Sequence, residues 1–489
     1  MSELLIVILV IVSIGLTGRS LLALIDRICG TLDSPRLPSE VWGISILMGV
    51  SFTAAAGFVW SDLGGQLNRS LALRQAIIGA ILGIVATVQS FRRRSVAAIE
   101  SPALSSPFLT RMFRVVFGLV ISGAFILPAL SIELTDQAPS DPTRHKQHEE
   151  IQRKAQVLFQ TGTIDAPALV PEGGYPYHFR EPLLLPLAER HVDALWERPS
   201  DLADWIWSPL CLAGLGLSFA GVLTRRASTA WGWILATGLT VMPIFWSEWG
   251  LLARSGDLPL ACFHGVAVLY LWDALQESPG RVRVRGLLLA SGMASSAVFT
   301  KSEGLAYLVV EMLAWIIALP GGSRSPEPAK DPSETPRSWK QDLLGIAIFA
   351  LFAAFLLTPW MLYRQALPVD PRSIRWVRPQ FGPPEFLMEL FSPMVRDWWK
   401  TGLPWWLMGL ALVSSPRRSL LRPQRFLVLS LLGTLGTAEF VLAPAGFSRT
   451  LDGLSQTFLL QLTPIAVLLM AVVWTPSGHD GTTGPSSIP

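Results

Sequence analysis

The sequence predicts an all-α polytopic membrane protein of about 13 transmembrane helices, with one large outer loop carrying short amphipathic helices. Three observations predict it. Of the 489 residues, 51% are hydrophobic and only 15% charged. Apolar runs repeatedly approach the roughly 20 residues that carry an α-helix across a bilayer core. Arg residues gather in short clusters between those runs instead of lining one soluble face, so a net charge of +3 reports topology and excludes nucleic acid as a partner.

The first run, 3–24, lacks a basic n-region and is followed by no small-residue cleavage site, which predicts a membrane helix in place of a cleaved signal. Further runs predict spans over 40–61, 74–91, 113–132, 204–223, 228–247, 258–275, 285–299, 304–320, 342–363, 403–415, 425–444 and 456–474. Between the fourth and fifth spans lies the outer loop, 133–203. Within it, Ile151 to Gly162 predicts an amphipathic helix along the interface, whereas Tyr175-Pro176-Tyr177 and Pro182 to Pro186 predict extended or turn structure. Segment 321–341, rich in Pro, Ser and charge, reads as a solvated linker, and 476–489 as a flexible tail. Cys29, Cys211 and Cys262 lie in or beside apolar runs without metal-ligand spacing, as expected of buried thiols.

Basic clusters stand at Arg92-Arg93-Arg94 with Arg111 and Arg114, at Arg225-Arg226, at Arg281, Arg283 and Arg285, and at Arg417-Arg418 with Arg422 and Arg425. An even number of spans separates each pair, so all four fit the cytoplasmic side. The N-terminus is then outside and the C-terminus inside, in what is expected to be a bacterial inner (plasma) membrane. Trp398, Trp399, Trp405 and Trp406 suit an interfacial aromatic belt. No internal repeat of the kind built into many secondary transporters is visible.

The opposite, outer face collects the candidate chemistry. Asp257 stands with Glu248 and Arg254 on a short turn before an apolar run; a carboxylate there can act as base, ligand or hydroxyl acceptor, or simply cap the helix. In Phe299-Thr300-Lys301-Ser302-Glu303-Gly304 the ammonium can hold a phosphate oxygen, or Lys301 and Glu303 can neutralise each other. The outer loop offers Glu133, Asp136, Asp141, His145, His148, Glu149 and Glu150, then His178 and Arg180, as acid, base and binding groups or as solvated surface, in no metal-ligand pattern. Arg364 ends a span and leads to Arg372, Arg375 and Arg378; an outward basic cluster fits an anionic partner such as lipid phosphate, or pairing with Asp370 and headgroups.

The order of these segments resembles a known family. A long outer loop, Gly256-Asp257-Leu258-Pro259-Leu260-Ala261, Thr300-Lys301-Ser302-Glu303-Gly304, Pro359-Trp360 with Tyr363-Arg364, and Leu460-Gln461-Leu462-Thr463-Pro464 together resemble bacterial membrane glycosyltransferases of the GT-C class, in the protein-mannosyltransferase-like and aminoarabinose-transferase-like branches. The similarity spans roughly Arg114 to Val473. Residues 113–475 then form a GT-C-like core, and 1–112 an added N-terminal set of helices.

The resemblance implies transfer of a sugar from a polyprenyl-phosphate donor to a lipid, glycan or protein acceptor on the outer membrane face. It implies an early loop acid as catalytic base, among Asp136, Asp141, Glu149 and Glu150, since the usual Asp-aromatic pair is absent before Lys154-Ala155. Asp257 matches the second acidic position, and Lys301 with Glu303 the later turn. Arg364 is the implied phosphate ligand; either Arg449 compensates for the Arg that Thr457 replaces near Thr463-Pro464, or the donor phosphate is held differently. Asp257 or Glu303 would hold a divalent cation where one is used. The same charges beside apolar spans also suit a transporter or flippase of lipid-linked or anionic solutes, and the departures suit a non-catalytic scaffold.

Overall fold

The computed structural model describes residues 3–32, 36–94, 107–134, 142–165, 169, 182–247, 250–253, 255–319, 339–367, 383–416, 421–442 and 451–474. Helices account for nearly all of them, and no strand occurs among the described residues. This is a membrane protein: nine of these helices are long and apolar enough to cross a bilayer, or ten if one bent pair is a single span. Each of the 13 predicted runs is helical where described, but those over 304–320, 403–415 and 425–444 are not among the nine, and that over 228–247 is the bent pair.

Three helices open the chain: α1 (Glu3–Cys29), α2 (Pro38–Asp62) and α3 (Arg69–Arg94). Apolar side chains gain little by leaving lipid for one another, so close backbone approach has to supply attraction between membrane helices. Gly18 and Gly49 allow it. A Cβ on Gly18 would overlap the Ser45 carbonyl, and one on Gly49 the Ile14 carbonyl. Helix α4 (Pro107–Leu134) follows, and then the loop helices α5 (Pro142–Thr161) and α6 (Leu184–Trp196). The loop helix thus begins nine residues before Ile151, and the Pro182–Pro186 segment, predicted extended, instead opens α6. Pro186 falls in the first turn, where no backbone N–H is needed for the ladder, so it starts the helix without breaking it.

A short helix α7 (Asp201–Trp205) leads into α8 (Trp207–Arg226), α9 (Thr229–Thr240) and α10 (Pro243–Trp246). The predicted span 228–247 is therefore broken. Pro243 cannot continue the ladder, and the Trp246 indole N–H donates to the Thr240 carbonyl at 2.7 Å, satisfying an acceptor at the break. Next come α11 (Asp257–Gln276), α12 (Arg281–Thr300), α13 (Glu303–Ala318) and α14 (Trp339–Ala366). The chain ends with α15 (Pro383–Arg396), a π-helical turn Trp398–Gly402, α16 (Leu403–Ser414), α17 (Arg422–Leu442) and α18 (Leu451–Trp474).

Helix α11 is the spine. Every residue from Asp257 to Leu275 is buried, as expected of a helix apolar on all sides, and it packs against α8, α12 and α18. Helix α2 packs on α1, α6 and α8, so the N-terminal helices share their packing with later ones.

Ion pairs join several of the helices at one end of the bundle. Arg225 and Arg226 at the end of α8 bond Asp273 of α11 at 2.8 and 2.6 Å. Glu40 of α2, fully buried, lies 3.4 Å from Arg225 and 3.3 Å from Arg285 of α12. Arg283 meets Asp342 of α14 at 2.7 Å, Arg36 pairs with Asp26 of α1, and Arg425 of α17 donates to the Ala318 carbonyl that ends α13. Arg114, early in α4, lies over Trp233 of α9. Arg36, Arg114, Arg225, Arg226, Arg283, Arg285 and Arg425 thus gather at one end of the bundle.

Candidate functional site

At the other end a 3₁₀ turn, Leu251–Ala253, lies between α10 and α11, and the chain passes from α12 through two residues to α13. The second connection is tight because Gly304 lets α13 start against α12: a Cβ there would overlap the backbone of Ala297. Lys301 is left in extended conformation between the two helices, its stem against Gly256.

Asp257 does not cap its helix. Gly256 is the N-cap residue, Asp257 is the first helical position, and its carboxylate turns inward. Oδ1 accepts from the Lys301 ammonium at 2.8 Å and from the Gln461 amide of α18 at 2.8 Å; Oδ2 accepts from the Ser255 hydroxyl at 2.9 Å. The Tyr307 hydroxyl donates in turn to the Gln461 carbonyl oxygen. Glu303 lies 3.6 Å from the same ammonium. Asp257 is only 3% exposed, so removing its cation would leave a charge in apolar surroundings. The helix N-terminus adds a partial positive charge on the same side.

The structure thus brings together Asp257, Lys301 and Glu303, segments 44 and 46 residues apart, with Gln461 from a helix near the other end of the chain. Their surroundings combine anion, cation, amide and phenol within one buried cluster, the mixture needed to hold hydroxyl and phosphate oxygens. Lys301 bridges two carboxylates where a bound cation would compete with it. No group of three or more His, Cys, Asp or Glu side chains is arranged for a metal among the described residues.

Other predicted residues stand on elements gathered at this same end. Glu150 of α5 pairs with Lys154, one turn on, at 2.9 Å. Arg364 lies in the last turn of α14, half-buried, beyond Trp360 and Tyr363, which pack on Phe58 and Phe299. The Tyr363 hydroxyl donates to the Ile164 carbonyl at 2.8 Å, tying α14 to the α5–α6 connection. Arg190 of α6 donates to the Leu158 carbonyl of α5 and to the Leu67 carbonyl of the α2–α3 turn, and covers the Phe159 ring. Burial pulls the Arg190 guanidinium down to about 10, leaving it charged at neutral pH. Of Glu149 only the backbone is described, within α5. Asp136, Asp141, His178, Arg180 and Arg449 lie outside the described residues, as do Glu248, Arg254, Arg372, Arg375 and Arg378.

Two ionisable residues were not singled out from the sequence. His264 of α11 and Glu311 of α13, each 1% exposed, face one another with Nε2 and Oε1 3.2 Å apart. The signal was present: a lone His and a lone Glu, each inside an apolar run, are costly in a membrane helix and ask for a partner. Gln461 and Tyr307 carried no such signal, because neither bears a charge.

No protein-family model matches the chain, and no curated protein matches it.

Proposed function

We propose that this protein is a membrane-integral glycosyltransferase of the GT-C type, moving a sugar from a polyprenyl-phosphate donor to a lipid, glycan or protein acceptor at the outer face of a bacterial plasma membrane. One observation carries the proposal. Three segments that resemble that class, Gly256 to Ala261, Thr300 to Gly304 and Leu460 to Pro464, meet in one buried cluster through the two 2.8 Å bonds to Asp257.

The proposed chemistry is a direct displacement. An acceptor oxygen forms its bond to the anomeric carbon as the bond from that carbon to the phosphate oxygen breaks. The acceptor proton passes to a carboxylate of the loop, among Asp136, Asp141, Glu149 and Glu150, and Lys301 with Arg364 takes up the charge on the departing phosphate. Asp257 and Glu303 orient hydroxyls.

Protein in lipid nanodiscs, supplied with radiolabelled polyprenyl-phosphate sugars, is expected to transfer label to an acceptor fraction. Asp257→Asn, which keeps the shape of the side chain, is expected to lower transfer about a hundredfold or more with an unchanged elution profile. Wild-type transfer by that variant removes the site assignment, and no transfer from any donor of this class removes the reaction.

A second reading, a carrier or flippase of lipid-linked or anionic solutes, is favoured by the His264–Glu311 pair, since ionisable groups inside a bundle mark many transport paths. Movement of a lipid-linked solute across sealed vesicles without a covalent product would establish it instead.

A further inference from the structure

Glu303, Tyr307 and Glu311 are spaced by four residues along α13 and so form one polar stripe on its inward side. The stripe leads from the cluster at the helix ends into the apolar interior. His264 and Glu311 lie seven and eight residues along their helices, roughly two turns in. The Tyr307 ring stacks on His264 with centroids 4.6 Å apart, while its hydroxyl is spent on Gln461, which holds Asp257. One aromatic ring therefore separates the pair from the outer cluster.

The pair is not a finished structural ion pair. Nε2 and Oε1 are 3.2 Å apart, and His264 Nδ1 and Glu311 Oε2 are buried with no hydrogen-bond partner among the described residues. Other groups near the pair are Tyr307 on α13, whose ring stacks on His264, and Gln461 on α18, which accepts from the Tyr307 hydroxyl. Asp257, Lys301 and Glu303 lie farther out. A neutral imidazole beside a carboxylate would place an uncompensated negative charge in this interior, which costs several kcal/mol even after relaxation. One added proton brings the pair to neutrality, whether it rests on nitrogen or oxygen.

We propose that His264 and Glu311 form a second site, an intramembrane proton-binding site whose ligand is a single proton, linked to the Asp257–Lys301 cluster through Tyr307 and Gln461. By linkage, whatever changes the charge at the outer cluster changes the hold of the pair on its proton, and the reverse. The site does not rest on the transfer reaction proposed above, and its test needs no substrate.

Nuclear magnetic resonance of the whole protein in lipid nanodiscs, with ¹⁵N-labelled His and ¹³C-carboxyl-labelled Glu, counts the protons on the pair. Glu311→Gln and His264→Gln assign the two signals. At neutral pH the wild-type pair is expected to hold one proton, seen as imidazolium with carboxylate or imidazole with carboxylic acid. Asp257→Asn is expected to move the pH at which that proton leaves by about one unit or more, a tenfold change in proton affinity. Tyr307→Phe, which keeps the stacked ring, is expected to reduce that response. An imidazole beside a carboxylate at neutral pH overturns the site, and a midpoint indifferent to Asp257→Asn overturns the link.

Discussion

At the scale of the residue, Asp257 shows how position and role come apart. An Asp just before Leu-Pro in a helix-starting sequence is well suited to cap, yet here Gly256 takes that place and the carboxylate is committed to three side chains. The sequence shows where a charge meets an apolar run; it does not show that Lys301 and Gln461 arrive there, because that depends on how α12 and α18 cross α11. Such a pair holds together mainly because breaking it is worse than forming it is good. Lys301→Met is expected to destabilise the protein by about 3–5 kcal/mol, since Asp257 then stays buried without its cation. Lys301→Met with Asp257→Asn is expected to recover most of that loss. Thermal unfolding in nanodiscs compares the single and double variants, and a double variant as unstable as the single one would show that lost packing of the Lys301 stem is responsible.

At the scale of the element, helix existence was legible and helix ends were not. Each apolar run is helical because a segment in lipid has to satisfy its own backbone hydrogen bonds. The break at Pro243 and the start of α6 at Leu184 turn on single prolines, whose effect depends on whether the missing N–H falls inside a helix or in its first turn. Amphipathic α6 carries a testable pH response. His191, buried in α6, is held down to about 4 from an ordinary 6.5, first by burial and then by the neighbouring Arg190 charge. Its folded-state value lies below the unfolded one, so between the two the unfolded chain binds more protons and stability rises with pH. The contribution is complete above pH 6.5 and is lost as pH falls to about 4. Its size is on the order of 3 kcal/mol. Hydrogen exchange of the α6 amides across that interval measures the slope, and His191→Phe is expected to flatten it; an equal slope in the variant would assign the response to another group.

At the scale of the whole molecule, the two ends of the bundle divide the charges. Arg225, Arg226, Arg283, Arg285 and Arg425 share one end, and Asp257, Lys301, Glu303 and Arg364 the other, as the count of apolar runs between clusters predicts. The segregation follows from parity alone and needs no knowledge of packing, which is why it was readable when the Gln461 contact was not. Which end faces outward is then a question for labelling. The native thiols Cys29, Cys211 and Cys262 are buried and unpaired, so they give a quiet background. Ser302, exposed beside the cluster, and Ser278, exposed in the turn between α11 and α12 next to the arginines, mark the two ends. With a membrane-impermeant maleimide on intact cells, Ser302→Cys is expected to be labelled and Ser278→Cys to react only after the membrane is opened, because basic loops are retained in the cytoplasm. The reverse pattern would place the Asp257 cluster in the cytoplasm and remove an outer-face donor from the proposed reaction. Equal labelling of both on intact cells would deny that these ends lie on opposite sides of a membrane.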